Sequence, residues 1–291
     1  MSDGSRCRGT FSIVAYDPSK DEWGVAVQSK FLAVGSAVPW ARAGAGAVAT
    51  QSWANTSYGP RGLAMMEEGL PAEEVIASLT KDDNDRALRQ VGVVDANGSA
   101  AAFTGEGCYD CAGHVVGQHY ACQGNILVSE DTVEAMARTF EETQGALVDR
   151  LLAALQAGQK AGGDRRGQQS AAILVVKEKG GYGGFNDRYV DLRVDEHPTP
   201  IDELARLLKL HNLYLGETDL DNLVKIEGKV AVEIQEILQR TGYYQGPDSG
   251  VYDEATRKAL RDFVNTENLE ERWRDDNLLD GVILEFMREG F

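Results

Sequence analysis

The chain has 291 residues, 43% of them hydrophobic, and a formal net charge of −17 at pH 7. This length and apolar content are enough for one large domain or two unequal domains with a buried core. The negative charge argues against binding to nucleic acid or to an anionic membrane surface. No apolar run approaches a membrane span, and residues 1–9 lack the apolar core of a signal peptide. We therefore expect a cytoplasmic protein with neither a nucleic acid nor a membrane as partner.

The first two predicted strands form a hairpin around which the rest of the chain is organised. Residues 10–16 alternate as a strand, which places Phe11 and Thr10 on opposite faces. Turn-forming residues at 17–21 lead into a returning strand over 24–29. Thr10 therefore opens the first strand directly after a glycine.

A glycine–threonine junction at the start of a buried strand is what an N-terminal-nucleophile hydrolase needs. If the Gly9–Thr10 bond is cut, Thr10 carries both a hydroxyl and a free α-amine. An α-amine has an ordinary pKa of about 8, so it can serve as the general base at neutral pH. No catalytic histidine is then required, and none of the four histidines has a triad-like context. The alternative is an ordinary first strand that begins with a β-branched residue.

A third predicted strand, rich in glycine and alanine, follows at residues 43–51. Side chains this small permit either tight packing between sheets or the close approach of a substrate to the backbone, and both alternatives stay open. Gln51 and Asn55 lie in the polar stretch that follows, before the first predicted helix. We take these two side chains as candidates for substrate binding, and backbone N–H groups of this region as candidate oxyanion donors.

The predicted elements after this loop alternate in blocks of helices and strands. In chain order they are helices over 61–68 and 71–79, strands over 90–94, 100–103, 114–120 and 122–127, helices around 133–140 and 147–155, and strands over 170–176 and 189–194. Such an order predicts an α+β fold in which two sheets pack face to face with helices outside, a four-layer αββα sandwich.

Cys108 and Cys111 have the spacing of metal ligands, with two histidines and Cys122 close behind. The second paired motif of a zinc site is missing, so reduced thiols or a local disulfide are the alternatives. We predict no metal and no cofactor. Cys7 is a second candidate nucleophile, but nothing around it has the pattern of a strand start.

The last part of the chain reads as a separate helical unit. Residues 232–244 predict an amphipathic helix that ends at a glycine, and a turn over 246–252 leads into a second helix. We therefore place domains at 1–212 and 213–291, the second small and all-α. Its helix–turn–helix pattern is similar to that of peptidoglycan-binding domains, whereas a helical appendage that only packs or dimerises is the alternative.

Several stretches of the first domain resemble the DUF1028 family, over about residues 9–212. They are TFSIVA at 10–15, FLAVGS at 31–36, ATQ at 49–51, YGPRGL at 58–63, CQGNIL at 122–127, GGDRRG at 162–167 and NDRYVDLRV at 186–194. By its fold this family is assigned to the N-terminal-nucleophile hydrolases, which include proteasome β-subunits and acylases. The resemblance puts Thr10 in the place of the nucleophile. The chain departs from the proteasome pattern at residues 28–30, where an aspartate is expected, and at Arg42, where a lysine is expected.

Four more residues complete the predicted site. Ser29 lies on the adjacent strand and can orient or shuttle the proton of the amine. Asn125 is a candidate side-chain donor to an oxyanion. Asp164 and Arg165 occupy a glycine-flanked turn, where they hold the site together or bind a charged substrate group. The alternative is that they form a plain ion pair in the turn.

Two functions are compatible with this sequence. The first is an N-terminal-threonine amidohydrolase that acts on a small amide or peptide, including a cell-wall fragment captured by the C-terminal domain. The second is a non-catalytic binding or scaffold protein that keeps the fold and is never processed. In either case we expect a homo-oligomer.

Overall fold

The computed structural model describes residues 9–291. The predictions that concern Cys7 and the segment before Gly9 therefore lie outside the described residues. The chain divides into two compact units, one that ends at Leu207 and one over Leu208–Phe291. Within residues 9–291, no helix is long and apolar enough to cross a bilayer.

The first unit is mixed α/β, with the predicted strands and helices in the predicted order and one additional strand, β3. Its elements are β1 (Thr10–Asp17), β2 (Glu22–Ser29), β3 (Pro39–Arg42), β4 (Gly46–Ser52), α1 (Tyr58–Glu67), α2 (Ala72–Lys81), β5 (Arg89–Asp95), β6 (Ala100–Thr104), β7 (Gly113–Gly117), β8 (Tyr120–Asn125), α3 (Asp131–Glu142), α4 (Leu147–Lys160), β9 (Ser170–Val176) and β10 (Arg188–Val194). Helix α5 (Pro200–Leu215) includes the point where the two units divide.

Two antiparallel sheets organise this unit. One has six strands in the order β10-β9-β2-β1-β8-β7, and the other has four in the order β3-β4-β5-β6. Strand β1 lies inside the larger sheet and is paired from its first residue, with Thr10 opposite Ser29 of β2 on one side and opposite Asn125 of β8 on the other. The N-terminal end of β1 is therefore held on both sides by backbone hydrogen bonds.

The two faces of β1 meet different partners, as the alternation of its sequence predicts. Phe11 faces helix α4, and its ring lies close to Gly158 of that helix. A Cβ added to Gly158 would be 3.2 Å from the Phe11 ring. Val14, on the opposite face, shares one core with Ala47 and Val94 of the four-stranded sheet. The two sheets thus share a core on the side of β1 that also carries Thr10, because Thr10 and Val14 are an even number of residues apart.

Helices α1 and α2 pack on the four-stranded sheet. Their apolar faces form one cluster with that sheet, which includes Val48, Tyr58, Leu63, Val75 and Val91. The glycine-rich run that we predicted as one strand over 43–51 is instead a tight turn followed by β4. Gly44 has a φ of 73° in that turn, and β3 precedes it as a short edge strand that begins with Pro39. Proline is tolerated at the start of an edge strand, but its presence argues against a strand when only the sequence is considered.

The second unit is mainly helical, with α6 (Lys229–Arg240), α7 (Glu254–Thr266) and α8 (Gly281–Gly290). Its core includes Ile234, Leu238, Leu260, Phe263 and Ile283. The prediction of an all-α unit is wrong in one respect, because β11 (Leu223–Lys225) pairs with β12 (Leu278–Asp280). Strands of three residues are too short to show a period of two in the sequence.

Candidate functional site

The side chain of Thr10 lies at the start of β1, where the residue is 5% exposed. Its Oγ1 donates a hydrogen bond to the carbonyl oxygen of Gly9 at 2.7 Å. The same Oγ1 lies 3.0 Å from Oγ of Ser29, and either hydroxyl can be the donor. The hydroxyl of Thr10 is therefore held beside the peptide bond that precedes it.

The carbonyl oxygen of Gly9 is the acceptor on which the site converges. Besides Thr10 Oγ1, it accepts from Ser29 Oγ at 2.5 Å and from Nη2 of Arg166 at 2.8 Å. Three donors on one carbonyl oxygen, one of them a cation, withdraw electron density from the carbonyl carbon. The same arrangement stabilises negative charge on that oxygen once a nucleophile adds to the carbon.

Asp164 fixes the position of Arg166. Its side chain is fully buried, and its carboxylate accepts from Nε of Arg166 at 3.0 Å and from Nη2 at 2.7 Å. The backbone N–H groups of Lys30 and Arg166 donate to the same carboxylate at 3.0 and 2.9 Å. Since both carboxylate oxygens are engaged, the guanidinium is held in one orientation, with one nitrogen directed at Gly9.

A cavity of about 220 Å³ adjoins Thr10. Ten residues line it: Thr10, Ser29, Phe31, Val34, Ala37, Val38, Gln51, Ser52, Ala54 and Thr56. Most of its walls are apolar, and Thr10 and Ser29 belong to its lining. Apolar walls with a few convergent polar groups are typical of a small-molecule site.

A buried amide network lies behind Thr10, between the two sheets. Nε2 of Gln51 donates to the carbonyl oxygen of Thr10 at 3.4 Å and to Oε1 of Gln90 at 2.8 Å. Nδ2 of Asn125 donates to the same Gln90 oxygen at 2.9 Å, and Oδ1 of Asn125 is buried with no hydrogen-bond partner in the structure. The donor of Asn125 therefore points into this network, and Gln51 supports the backbone of Thr10.

Asn55 and Arg165 have other partners. Nδ2 of Asn55 donates to Asp83 at 3.1 Å, and its Oδ1 accepts from Oγ of Ser57 at 2.7 Å. Arg165 is exposed, and its Nη2 donates to the carbonyl oxygen of Asp110 at 3.0 Å. Asn55 thus shapes the loop beside the cavity, and Arg165 joins two loops.

The structure therefore brings Thr10, Ser29, Gln51, Asn125 and Asp164 together at the start of β1. Sequence reasoning missed two further members of this group. Arg166 follows the predicted Arg165 directly, and only the shape of the turn decides which of the two guanidinium groups faces Gly9. Gln90 gave no signal, because it comes from the other sheet.

Hydrogen bonds to Asp83 stabilise the loop that carries Asn55. Its carboxylate accepts from Nε of Arg89 at 3.0 Å and from the hydroxyl of Tyr58 at 2.8 Å. The hydrogen bond from Arg89 holds the pKa of Asp83 well below its usual range, with further help from Tyr58 and Asn55. The loop that borders the cavity is thus tied down by an ionised carboxylate.

The cysteine pair lies on a separate loop. Cys108 and Cys111 are free thiols, and burial raises the pKa of Cys108. Burial also lowers the pKa of the nearby His114, whose Nδ1 lies 2.9 Å from Oγ1 of Thr104. Among residues 9–291, no three His, Cys, Asp or Glu side chains are grouped so that they could hold a metal ion.

Comparison with known proteins gives the following. No curated protein matches this chain. A crystal structure of a DUF1028 protein from Silicibacter pomeroyi is similar to it, with 32% sequence identity and a TM-score of 0.65, over 77% of this chain and 89% of that one. Residues 214–287 match the family described as "Putative peptidoglycan binding domain". Residues 10–204 match the family described as "Family of unknown function (DUF1028)", and the matched stretch begins at Thr10. The chain therefore belongs to the DUF1028 family.

Proposed function

We propose that this protein is an N-terminal-threonine amidohydrolase, which cleaves its own Gly9–Thr10 bond and then hydrolyses a small amide or peptide. The observation that carries this proposal is the Gly9 carbonyl oxygen, which accepts from Thr10 Oγ1, Ser29 Oγ and Arg166 Nη2. The four-layer sandwich of the N-terminal-nucleophile type is part of the same proposal. Its support is that two sheets share a core and that β1 begins at Thr10.

Self-cleavage needs an attack by Thr10 Oγ1 on the carbonyl carbon of Gly9. The Thr10 hydroxyl has one proton, which it turns from the Gly9 oxygen to Ser29 Oγ, 3.0 Å away, and passes there while Ser29 passes its own proton to the Gly9 oxygen. The C–N bond then breaks, and the nitrogen of Thr10 takes up the proton that the Gly9 oxygen received. The product is an ester that joins Gly9 to Oγ1 of Thr10. Water hydrolyses this ester and leaves Thr10 with a free α-amine.

Turnover reuses the same groups. The α-amine of Thr10 accepts the proton of Oγ1 as it attacks the substrate carbonyl, and then delivers that proton to the leaving amine. Ser29 and Arg166 donate to the oxyanion, and each such donor lowers the barrier by about 3 kcal/mol. Water hydrolyses the resulting ester, which releases the acid and restores the hydroxyl. The cavity of about 220 Å³ limits the substrate to a small group beside the reacting carbonyl.

The second unit suggests where the substrate comes from. Its match to a peptidoglycan-binding-like domain favours a small amide or peptide derived from the cell wall, held by residues 214–287 and hydrolysed at Thr10.

Mass spectrometry of freshly expressed protein tests the proposal. Wild type and Thr10→Ser should lose residues 1–9, because both keep the attacking hydroxyl. Thr10→Ala should remain uncut. The control is Thr132→Ala, which makes the same change at a fully buried threonine in α3 and should be cut like the wild type. A wild type that stays uncut and hydrolyses no amide would favour the non-catalytic binding protein.

A further inference from the structure

We propose that the acyl group transferred to Thr10 carries no L-configured side chain on its first carbon, so that the substrates are glycyl- or acetyl-type amides with an uncharged group in the cavity. This inference rests on the proposed function. It follows from the space around Gly9 and from the chemistry of the ester at Thr10 Oγ1.

The precursor already shows where an acyl group sits. Self-cleavage converts the Gly9 carbonyl into an ester of Thr10 Oγ1, and hydrolysis of any amide passes through an ester of the same oxygen. The oxygen of both esters needs the same donors, Ser29 Oγ and Arg166 Nη2. The first carbon of a substrate acyl group therefore lies where the α-carbon of Gly9 lies.

That position has no room for an L side chain. A Cβ added to Gly9 would lie 2.8 Å from Cγ and Oδ1 of Asp164 and 2.9 Å from its Oδ2, closer than real Cβ atoms come. The exclusion is therefore one of space.

Asp164 cannot move aside. Its carboxylate is fully buried and takes hydrogen bonds from Lys30 N and from Arg166 N, Nε and Nη2. A shift of the carboxylate would break several of these bonds and turn Arg166 away from the Gly9 oxygen. An acyl group with an L-configured side chain on its first carbon would thus clash with the Asp164 carboxylate, whereas a CH₂ or CH₃ group fits.

The cavity adds a second restriction. None of its ten lining side chains, all of which belong to the described part of the chain, carries a charge, and the α-amine of Thr10 is neutral when it acts as the base. A charged group that entered would lose its hydration without gaining a partner, which is strongly unfavourable. The part of the substrate that fills the cavity is therefore uncharged.

A matched pair of amides tests the inference on protein that begins at Thr10, made by cleavage of an N-terminal fusion so that it does not depend on self-cleavage. N-acetylglycyl p-nitroanilide should be hydrolysed with a kcat/KM at least about tenfold higher than N-acetyl-L-alanyl p-nitroanilide, since a misfit of one methyl group costs about this much. In Asp164→Ala, which removes the clashing carboxylate, both rates should fall, and the ratio of kcat/KM for the glycyl amide to that for the alanyl amide should become smaller.

The outcomes separate this inference from the proposed function. Cleavage of both amides at rates within tenfold of each other, or a ratio that Asp164→Ala leaves unchanged, overturns the inference and leaves the hydrolase standing. Hydrolysis of neither amide, together with a full-length wild type that stays uncut, removes the hydrolase and the inference with it.

Discussion

Each unit contains an arginine–aspartate pair whose aspartate is fully buried, and the two pairs differ in where the arginine directs its other hydrogen bonds. In the second unit Arg272 bonds Asp280 at 2.6 Å, and both side chains are almost completely buried. Asp280 also caps helix α8 by accepting from the N–H of Val282 at 2.9 Å. Arg272 otherwise donates to backbone carbonyls, including that of Leu213 at 2.7 Å. This pair closes a structural network.

The pair of Arg166 and Asp164 has the same chemistry, but the arginine also donates to a different backbone carbonyl. Nη2 of Arg166 donates to the carbonyl oxygen of Gly9, which also accepts hydrogen bonds from two hydroxyl groups. Thr10, beside this carbonyl, lines a cavity. A buried arginine–aspartate pair is therefore no sign of function by itself. The pair of Arg166 and Asp164 differs from the pair of Arg272 and Asp280 because its arginine donates to a peptide carbonyl that lies beside a hydroxyl nucleophile and next to a cavity.

Breaking the structural pair should give the largest effect. Arg272→Met leaves the Asp280 carboxylate buried and without its cation, which should lower the free energy of unfolding of the second unit by about 3–5 kcal/mol. Urea unfolding followed by circular dichroism measures this change. Arg288→Met, which breaks the exposed pair with Glu233, is the control and should cost at most about 1 kcal/mol. Equal losses in the two variants would remove the distinction between them.

Removing the other arginine should affect chemistry as well as stability, because the fully buried Asp164 also loses its cation. Arg166→Met deletes a charged donor to the Gly9 oxygen, which should slow cleavage of the Gly9–Thr10 bond about 100-fold or more. The rate is measured as the loss of residues 1–9 with time by mass spectrometry. Arg165→Met is the control, since the neighbouring guanidinium is exposed and bonds Asp110 instead. A normal rate in Arg166→Met would show that this pair, too, is structural.

Filling the space at Gly9 should have a smaller effect. Gly9→Ala forces a methyl group against Asp164, at an overpacking cost of about 1–3 kcal/mol, and displaces the carbonyl from its donors. We expect self-cleavage at least about tenfold slower than in the wild type. Gly113→Ala, on β7, where an added Cβ meets nothing within 4 Å, should be cut at the normal rate. Normal cleavage of Gly9→Ala would mean that Asp164 yields.

The smallest effect concerns pH and the loop beside the cavity. Arg89 lowers the pKa of Asp83 in the folded protein, so ionised Asp83 stabilises the fold at pH values above its unfolded pKa of about 3.9. This stabilisation is lost as the pH falls from about 4 towards the folded pKa. The thermal midpoint should therefore drop less in Asp83→Asn than in the wild type between about pH 5 and about pH 2. Equal drops would show that Asp83 does not anchor the loop.

Local patterns predicted the start of β1, but contacts across the sheets could not be predicted. The alternation of Phe11 and Thr10 and the turn before β2 are local, and they already place Ser29 next to Thr10. Gln90 reaches Asn125 from the other sheet, and that pairing depends on how the two sheets are aligned, which no short stretch encodes. The choice between Arg165 and Arg166 likewise depends on the turn, where Gly167 has a φ of 100°.

The internal position of β1 has a consequence for the chain end that cleavage would create. A new N-terminus is usually the most mobile part of a protein. Here it would lie inside a six-stranded sheet, with Thr10 opposite both Ser29 and Asn125. The cut falls directly before Thr10, the first paired residue of β1, so the pairs from Thr10 onward remain. The nucleophile and its amine would therefore lose their conformational freedom once, during folding, and not again in each catalytic cycle.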